Sequence, residues 1–213
     1  MRLSRLNVCL CLPTLVRKQR EGGRMKLTDE EKQILLSIAR SAIQCTLEGK
    51  PLPPLHYSQK ALNRPSGVFV TLHIGDDLRG CIGYVEPLFP LAQAAQEVAV
   101  KAAMEDPRFM PLTLAEFNTV SIEVSVLSPL SELQDIETIE VGTHGLVIDA
   151  GYRRGLLLPQ VATEYGWNKK QFLEHTAQKA GLPSDAWKKK EVKLFTFTVE
   201  MFQETHPSPG KKE

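Results

Sequence analysis

The residues best suited to chemistry in this chain form the hexapeptide Leu78-Arg79-Gly80-Cys81-Ile82-Gly83. It puts Cys81 between two glycines and two positions after Arg79. The glycines leave the thiol open to approach by a substrate, and a nearby fixed positive charge favours the reactive thiolate. Cys81 is therefore predicted to be a nucleophile, a covalent carrier or a thiol ligand. The alternative is a small cysteine buried in a strand, where free cysteines often lie.

Two further candidate catalytic residues lie on segments that alternate like strands. His73 is predicted to be a base close to Cys81, or else a histidine on a partly exposed strand face. Glu123 lies among apolar residues on the polar row of its strand. A carboxyl there can act as a general acid or base, or it can be solvated or paired.

The predicted substrate-binding residues are polar or small groups near turns and helix starts: Arg79, Gly80, Gly83, Arg154 and Gln160. Arg79 can bind an anion or pair with an acid such as Asp76, Asp77 or Glu123, since a guanidinium suits both uses. Arg154 follows Arg153 at a turn, where it can bind phosphate or carboxylate or remain solvated. Gln160 opens a helix and can position a ligand or cap that helix.

Several kinds of site receive no support from the sequence. The five histidines show no spacing typical of metal ligands, so no metal site is predicted. No nucleophile-elbow motif supports a serine triad, and no glycine-rich loop is suited to phosphate. No cofactor is assigned. The corner formed by Asp106-Pro107-Arg108-Phe109 is interpreted as structural, because proline ends the preceding helix.

A β-hairpin must position the hexapeptide. Residues 68–74 and 78–84 alternate between apolar and polar side chains, which predicts two strands around a three-residue turn. That register sets Ile74 opposite Leu78, His73 opposite Arg79 and Thr71 opposite Cys81. It would collect His73, Arg79 and Cys81 on one face of the hairpin.

The remaining pattern predicts an α+β fold, because hairpins are separated by helices without regular alternation. Thr28 and Glu31 form a capping box for a first helix that ends at Gly49. Further helices are predicted over residues 91–104, 159–166 and 168–181. Further strands are predicted over residues 120–126, 145–149, 155–158 and 192–202.

Charge and hydropathy narrow the function classes. The net charge is +1, but residues 1–24 hold six of the Lys and Arg residues and one acid, so the rest of the chain carries −4. A mildly acidic body lacks the basic surface of a nucleic-acid-binding protein. No apolar run is long enough to span a membrane. Of the four cysteines, Cys45 and Cys81 lie outside residues 1–24 and lack the spacing of metal ligands, which fits a reducing cytoplasm.

The chain ends are expected to lie outside the folded domain. Residues 1–24 are interpreted as a non-domain extension, with Met25 as the expected true start; a disordered tail and a targeting signal are the alternatives. Residues 25–203 form the predicted domain. Residues 204–213 contain two prolines, a glycine and two lysines, which predicts a disordered tail.

Six segments in order resemble the AMMECR domain family. The hexapeptide looks like the signature of this family, and similar segments are Phe69-Val70-Thr71-Leu72-His73, Asp106-Pro107-Arg108-Phe109, and residues 123–129, 155–162 and 179–182. The resemblance spans residues 27–203. It implies an α+β fold with a larger and a smaller subdomain and a cleft between them. One departure is Ala177, where members of the family often have a cysteine.

The resemblance implies that the protein shares a pathway with particular enzymes, but it does not imply a particular reaction. Bacterial and archaeal members are often encoded beside a Memo-type protein and a radical S-adenosylmethionine enzyme. The expected function is therefore a small-molecule-binding or catalytic component of that pathway, with Cys81 as the candidate reactive thiol. The alternative is a non-enzymatic interaction or scaffold module in which the hexapeptide is structural.

Overall fold

The computed structural model describes residues 26–204, which divide into two units. The first unit runs to Val126 and resumes at Met201, and the second unit is Leu127–Glu200. Each unit has a four-stranded sheet and a hydrophobic core of its own. The predicted α+β class with a larger and a smaller part is confirmed. The predictions for residues 1–25 and 205–213 lie outside the described residues.

Within the described residues, the first unit has four α-helices: α1 (Asp29–Leu47), α2 (Lys60–Asn63), α3 (Leu91–Met104) and α4 (Leu114–Phe117). The predicted capping box begins α1, because the Thr28 hydroxyl accepts the Glu31 N–H and the Glu31 carboxylate accepts the Thr28 N–H. Arg40 of α1 donates to the carbonyl oxygen of Val120 at 2.8 Å and forms an ion pair with Glu204. Glu204, the first residue of the predicted tail, therefore contacts the folded unit.

The first sheet has the strand order β2-β1-β3-β8. Its strands are β1 (Val68–Ile74), β2 (Asp77–Tyr84), β3 (Val120–Leu127) and β8 (Val199–Gln203). The apolar residues of β1 and β3 alternate with polar ones and join the core formed with α1 and α3. The opposite face therefore presents the polar residues, as the alternation predicts.

The β1–β2 hairpin differs from the predicted one in its turn. Ile74 lies opposite Asp77, so the loop has two residues, and Gly75 has a φ of +61°. A glycine in the left-handed region at the first loop position is typical of the two-residue hairpin turn, whose twist suits the strands. The predicted three-residue turn is therefore wrong.

A β-bulge restores the predicted pairing further along the hairpin. His73 lies opposite Leu78 and Leu72 lies opposite Gly80, so Arg79 has no residue opposite it. The predicted pairing of His73 with Arg79 is wrong. The extra residue compensates for the shorter turn, and Thr71 lies opposite Cys81 as predicted.

The second unit has the strand order β4-β7-β5-β6. Its strands are β4 (Ser131–Glu132), β5 (Gly145–Asp149), β6 (Arg154–Leu157) and β7 (Lys193–Phe197), and its helices are α5 (Pro159–Glu164) and α6 (Lys169–Lys179). A capping box from Asn168 begins α6. Phe172 and Leu173 of α6 pack into the core of this unit with residues of β5.

The single final strand predicted over residues 192–202 is wrong, because the chain forms two strands separated by Thr198. The Thr198 N–H donates to the Ser128 hydroxyl, and its carbonyl oxygen accepts the Ser128 N–H, both at 2.9 Å. The main-chain N–H and carbonyl groups of Thr198 are therefore bonded to Ser128 between β7 and β8. The two strands belong to different sheets. Alternation of side chains continues through such a break, so the sequence pattern does not reveal it.

Candidate functional site

Three polar residues form a row across adjacent strands of the first sheet. Thr71 of β1 lies opposite Cys81 of β2 on one side and opposite Glu123 of β3 on the other. The Thr71 hydroxyl donates to the Cys81 sulfur at 3.4 Å. All three side chains are half-buried, and they point away from the helices because their strand neighbours fill the core. We call this row, with His73 and Ser121 beside it, the polar face.

The neighbouring positions complete the polar face and limit it at one end. His73 lies opposite Ser121 of β3, and both are half-buried. On the other side of the row, Phe69 is buried, and its ring occupies the space in which a side chain at position 83 would lie. The structure thus brings the predicted catalytic residues Cys81, His73 and Glu123 to one face of one sheet.

The main chain of Cys81 is fixed by the Asp106–Arg108 corner. The Cys81 N–H donates to Asp106 Oδ2 at 2.8 Å, and Arg108 Nη2 donates to the Cys81 carbonyl oxygen at 3.4 Å. Because β2 is an edge strand, these groups would otherwise lack a strand partner. The corner therefore closes the sheet edge at the candidate thiol.

Asp106 is the most heavily bonded acid near the site. Its carboxylate, with a side chain only 2% exposed, accepts bonds from the Arg108 main-chain N–H, the Arg108 guanidinium and the Cys81 N–H. Burial raises the pKa of Asp106, but these hydrogen bonds outweigh it and leave the pKa below its usual value. Asp106 and Arg108 thus hold the site together, in agreement with their structural interpretation.

The Cys81 thiol is protonated at neutral pH. Burial raises its pKa above the usual value near 9, although the Thr71 hydroxyl and the Arg108 charge oppose the shift. The expectation that Arg79 favours the thiolate is therefore wrong. A nucleophilic role for Cys81 requires that a base or the bound molecule remove the proton.

Arg79 is directed away from the thiol by the bulge. Its Nε donates to Glu116 at 2.9 Å, and its Nη2 donates to Glu116 and to the Met110 carbonyl oxygen. Its guanidinium also lies 5.7 Å from the centre of the Phe109 ring. Of its predicted alternatives, an anion site or an acid partner, the structure shows the acid partner. That partner is Glu116 instead of Asp76, Asp77 or Glu123.

We expect Arg79→Gln to raise the pKa of Glu116, which is about 2 in the native chain. Arg79 contributes the largest lowering effect, and the Thr113 N–H and hydroxyl contribute the rest, so the variant pKa stays below 4.5. Carbon-13 NMR titration of the Glu116 carboxyl measures the shift. Arg153→Gln, in the second unit, is the control and leaves this pKa unchanged. An equal pKa in Arg79→Gln and the native chain contradicts the ion pair.

The two glycines of the hexapeptide have packing roles. A Cβ at Gly80 would lie 2.2 Å from the carbonyl oxygen of Ala102 in α3. A Cβ at Gly83 would lie 2.2 Å from the Phe69 ring and 2.6 Å from the Val68 carbonyl oxygen. Only glycine lets β2 approach α3 and Phe69 this closely. Their predicted role in substrate binding remains a prediction.

Glu123 is the acid on the polar face with a raised pKa. Burial raises the pKa, and the nearby His73 partly opposes the shift. No hydrogen bond to its carboxylate is found within residues 26–204. A half-buried carboxyl with a raised pKa holds a proton more readily than a free one, which suits a general acid or base.

Arg154 and Gln160 belong to the second unit. Arg154 begins β6 opposite Asp149, and Gln160 follows Pro159 in the first turn of α5. The side-chain oxygen of Gln160 is buried without a hydrogen-bond partner in the described chain. Neighbouring Arg153 donates to the Gly181 carbonyl oxygen. Substrate binding by Arg154 and Gln160 remains a prediction.

Sequence reasoning assigned no role to two residues of the site, Thr71 and Glu116. Thr113-x-x-Glu116 is a capping-box pattern, and the structure confirms that box at α4. The sequence thus contained a signal for the position of Glu116, although none for its pairing with Arg79. Thr71 was placed opposite Cys81, and its hydroxyl is the group that contacts the sulfur.

Other kinds of site find no support in the described residues. No group of three or more His, Cys, Asp or Glu side chains between residues 26 and 204 is arranged to hold a metal ion. A pocket beside α1, lined in part by Ser41, Tyr57 and Gln96, holds about 50 Å³. That is well below the roughly 300 Å³ of a small ligand site. No helix in this part of the chain is long and apolar enough to cross a membrane.

Comparisons with known proteins give consistent results. A family model described as AMMECR1 matches residues 36–202. Protein MJ0810 of Methanocaldococcus jannaschii is 42% identical over 189 residues, covering 85% of this chain and 94% of that protein. A protein of Aquifex aeolicus is 43% identical over 180 residues, covering 81% of this chain and 92% of its own length.

A solved structure supports the fold. The crystal structure of protein PH0010 from Pyrococcus horikoshii has a TM-score of 0.75 against this chain at 40% sequence identity. The match covers 86% of this chain and 96% of that one. The arrangement of strands and helices is therefore shared over nearly the whole of that protein.

Proposed function

This chain belongs to the AMMECR1 family, and we propose that its polar face binds a small molecule. Cys81, His73 and Glu123 are the candidate catalytic residues there. Thr71 lies between the thiol and the carboxyl, whose strands are about 10 Å apart by two strand spacings. A molecule of modest size would contact both groups at once.

The observation that carries this proposal is the division of roles within the hexapeptide. Arg79 is paired with Glu116, while Gly80 and Gly83 allow close packing. Ile82 packs against the core, and the Cys81 main chain is bonded to the Asp106–Arg108 corner. The Cys81 thiol is half-buried and has one hydrogen bond among the described residues, from Thr71. Structural contacts thus explain why the residues around Cys81 are present, but they explain the thiol itself less fully.

The acid–base properties of the face suit proton exchange with a bound molecule. The thiol is protonated at neutral pH, and the Glu123 carboxyl has a raised pKa. Glu123 is therefore the candidate group to accept a proton from the bound molecule or return one to it. The nearby His73 partly opposes the rise in the pKa of Glu123.

Complementation of a deletion strain tests the proposal. We expect Cys81→Ser and Glu123→Gln to fail to restore the metabolite pattern of the parent strain, while folded protein accumulates normally. Ser121→Ala, a matched change on the same face, is expected to restore it. Full restoration by Cys81→Ser, together with a thiol that does not react in the purified protein, would contradict the proposal.

A second candidate function is a non-enzymatic interaction or scaffold module. The close approach of Gly80 to Ala102 and of Gly83 to Phe69 favours it, because both glycines serve the fold. In this case the whole hexapeptide is structural. Cys81→Ser and Glu123→Gln would then both restore the metabolite pattern, whereas variants that unfold the hairpin would not.

We also propose that the protein acts in the cytoplasm, in one pathway with a Memo-type protein and a radical S-adenosylmethionine enzyme. Membership of the family supports this proposal. Co-purification of the tagged full-length chain from its own organism tests it. Recovery of either protein above the level seen with an unrelated tagged protein supports the pathway, and absence of both contradicts stable association.

A further inference from the structure

We propose that the molecule bound at the polar face is cationic, with an amine or amidine group that pairs with Glu123. This inference rests on the proposed function, because it concerns the ligand of the same site. It reverses the expectation of an anionic substrate that Arg79 suggested.

The two arginines nearest the hexapeptide are occupied. The Arg79 Nε and Nη2 groups donate hydrogen bonds to the Glu116 carboxylate, and the Arg79 side chain is 14% exposed. Arg108 donates to Asp106 at 2.6 Å and 2.9 Å. An anionic ligand would have to compete with these carboxylates for charge-assisted hydrogen bonds. Both arginine charges are therefore already paired with a carboxylate.

Glu123 is the acid on this face that has no such partner. Its carboxyl is half-buried, and no ion pair or hydrogen bond to it is found in the described part of the chain. The titratable or charged groups near it and Cys81 are His73, Asp106 and Arg108. Asp106 and Arg108 neutralise one another, so Glu123 and the nearby His73 are the titratable groups that remain, and Glu123 is the acid of the two.

A cationic group on the ligand would give the Glu123 carboxylate a charged partner and hydrogen-bond donors. Burying an ionised carboxylate is costly unless a charged partner or several hydrogen bonds compensate it. An ammonium or amidinium group beside Glu123 would provide both. The Thr71 hydroxyl, opposite the carboxyl on β1, can accept a further N–H bond from the same group. The geometry therefore favours a nitrogen cation at the Glu123 end and the reacting part of the molecule near Cys81.

Charged thiol reagents test this inference without knowledge of the ligand. Two methanethiosulfonates of the same reactive group are compared, one bearing trimethylammonium and the other sulfonate. The rate at which each reagent modifies Cys81 is measured by mass spectrometry of the Cys81 peptide, kept unreduced so that the mixed disulfide survives. Each rate is divided by the rate of the same reagent with glutathione, which corrects for the difference in intrinsic reactivity. We expect the cationic reagent to react about tenfold faster than the anionic one at low salt, as one nearby charge predicts. High salt should reduce the ratio.

Two variants assign the effect to Glu123. Glu123→Gln is expected to bring the normalised ratio close to one, whereas Ser121→Ala should keep it. A ratio favouring the anionic reagent, or a ratio unchanged in Glu123→Gln, overturns the inference and leaves the proposed function intact. Failure of both charged reagents and of the neutral methyl reagent to modify Cys81 in the folded chain overturns the proposed function, and the inference with it.

Discussion

Gly80→Ala is expected to lower the free energy of unfolding of the first unit by about 3 kcal/mol, at the upper end of overpacking effects. The added Cβ would lie 2.2 Å from the carbonyl oxygen of Ala102 and 3.2 Å from its carbonyl carbon. Both are main-chain atoms inside α3, so no side-chain rotation can relieve the clash. Either β2 or α3 would have to move, with loss of packing against α1.

Urea denaturation followed by circular dichroism measures this effect. Cys81→Ala, one residue away, is the matched control, because it removes one atom from a half-buried site and adds none. We expect it to change the free energy of unfolding by less than about 1 kcal/mol. Equal stabilities of Gly80→Ala and the native chain would contradict the close approach of β2 to α3.

Asp106→Ala is expected to be the most destabilising of these changes, at about 3–5 kcal/mol. It removes the carboxylate that accepts the Cys81 N–H and leaves the Arg108 guanidinium without its partner. The Cys81 N–H, at the edge of β2 beside the candidate thiol, would then have lost its hydrogen-bond acceptor. Asp106→Asn retains one acceptor and should lose less stability. Thermal unfolding of both variants tests the order.

The dependence of stability on pH gives a second measure of Asp106. Its pKa is lower in the folded chain than the usual 3.8. Its contribution is therefore complete above about pH 4 and is lost as the pH falls through the folded pKa. We expect Asp106→Asn to lose less stability than the native chain on acidification below pH 4. An equal loss in both proteins would show that Asp106 is not held as described.

The sequence pattern predicted the faces of the first sheet well. Alternation in residues 68–74 and 120–126 placed Thr71 and Glu123 on the side opposite the apolar core, and the structure confirms this. Alternation succeeds there because a shift by one residue would expose the whole apolar row. The capping box at Thr28 is an equally local signal, and it gave the correct start of α1.

The hairpin turn shows where the pattern fails. Residues 75–77 fit a loop of either two or three residues, and the choice depends on the conformation of Gly75. The two-residue turn requires the bulge at Arg79, which sends that side chain to Glu116. An error of one residue in the turn therefore changed the predicted role of a charged group. The contact with Glu116 joins residues 37 positions apart, which no local pattern encodes.

The ionisation state of the Cys81 thiol also could not be predicted from the sequence. Arg79, two positions before Cys81, suggested a lowered thiol pKa, whereas burial raises the pKa. Burial depends on how β1, β2 and the Asp106 corner pack, and these are separate segments of the chain. The sequence identified the residue, and the structure shows its ionisation state and its contact with Thr71.

The central claim is that the Cys81 thiol is accessible in the folded chain and has a raised pKa. Its rate of alkylation by iodoacetamide, followed from pH 6 to 10.5 by mass spectrometry of the Cys81 peptide, tests this most directly. We predict modification without unfolding, at a rate that rises about tenfold per pH unit and levels off above pH 9. A rate that levels off below pH 8, or a thiol that reacts only after urea is added, would contradict the account.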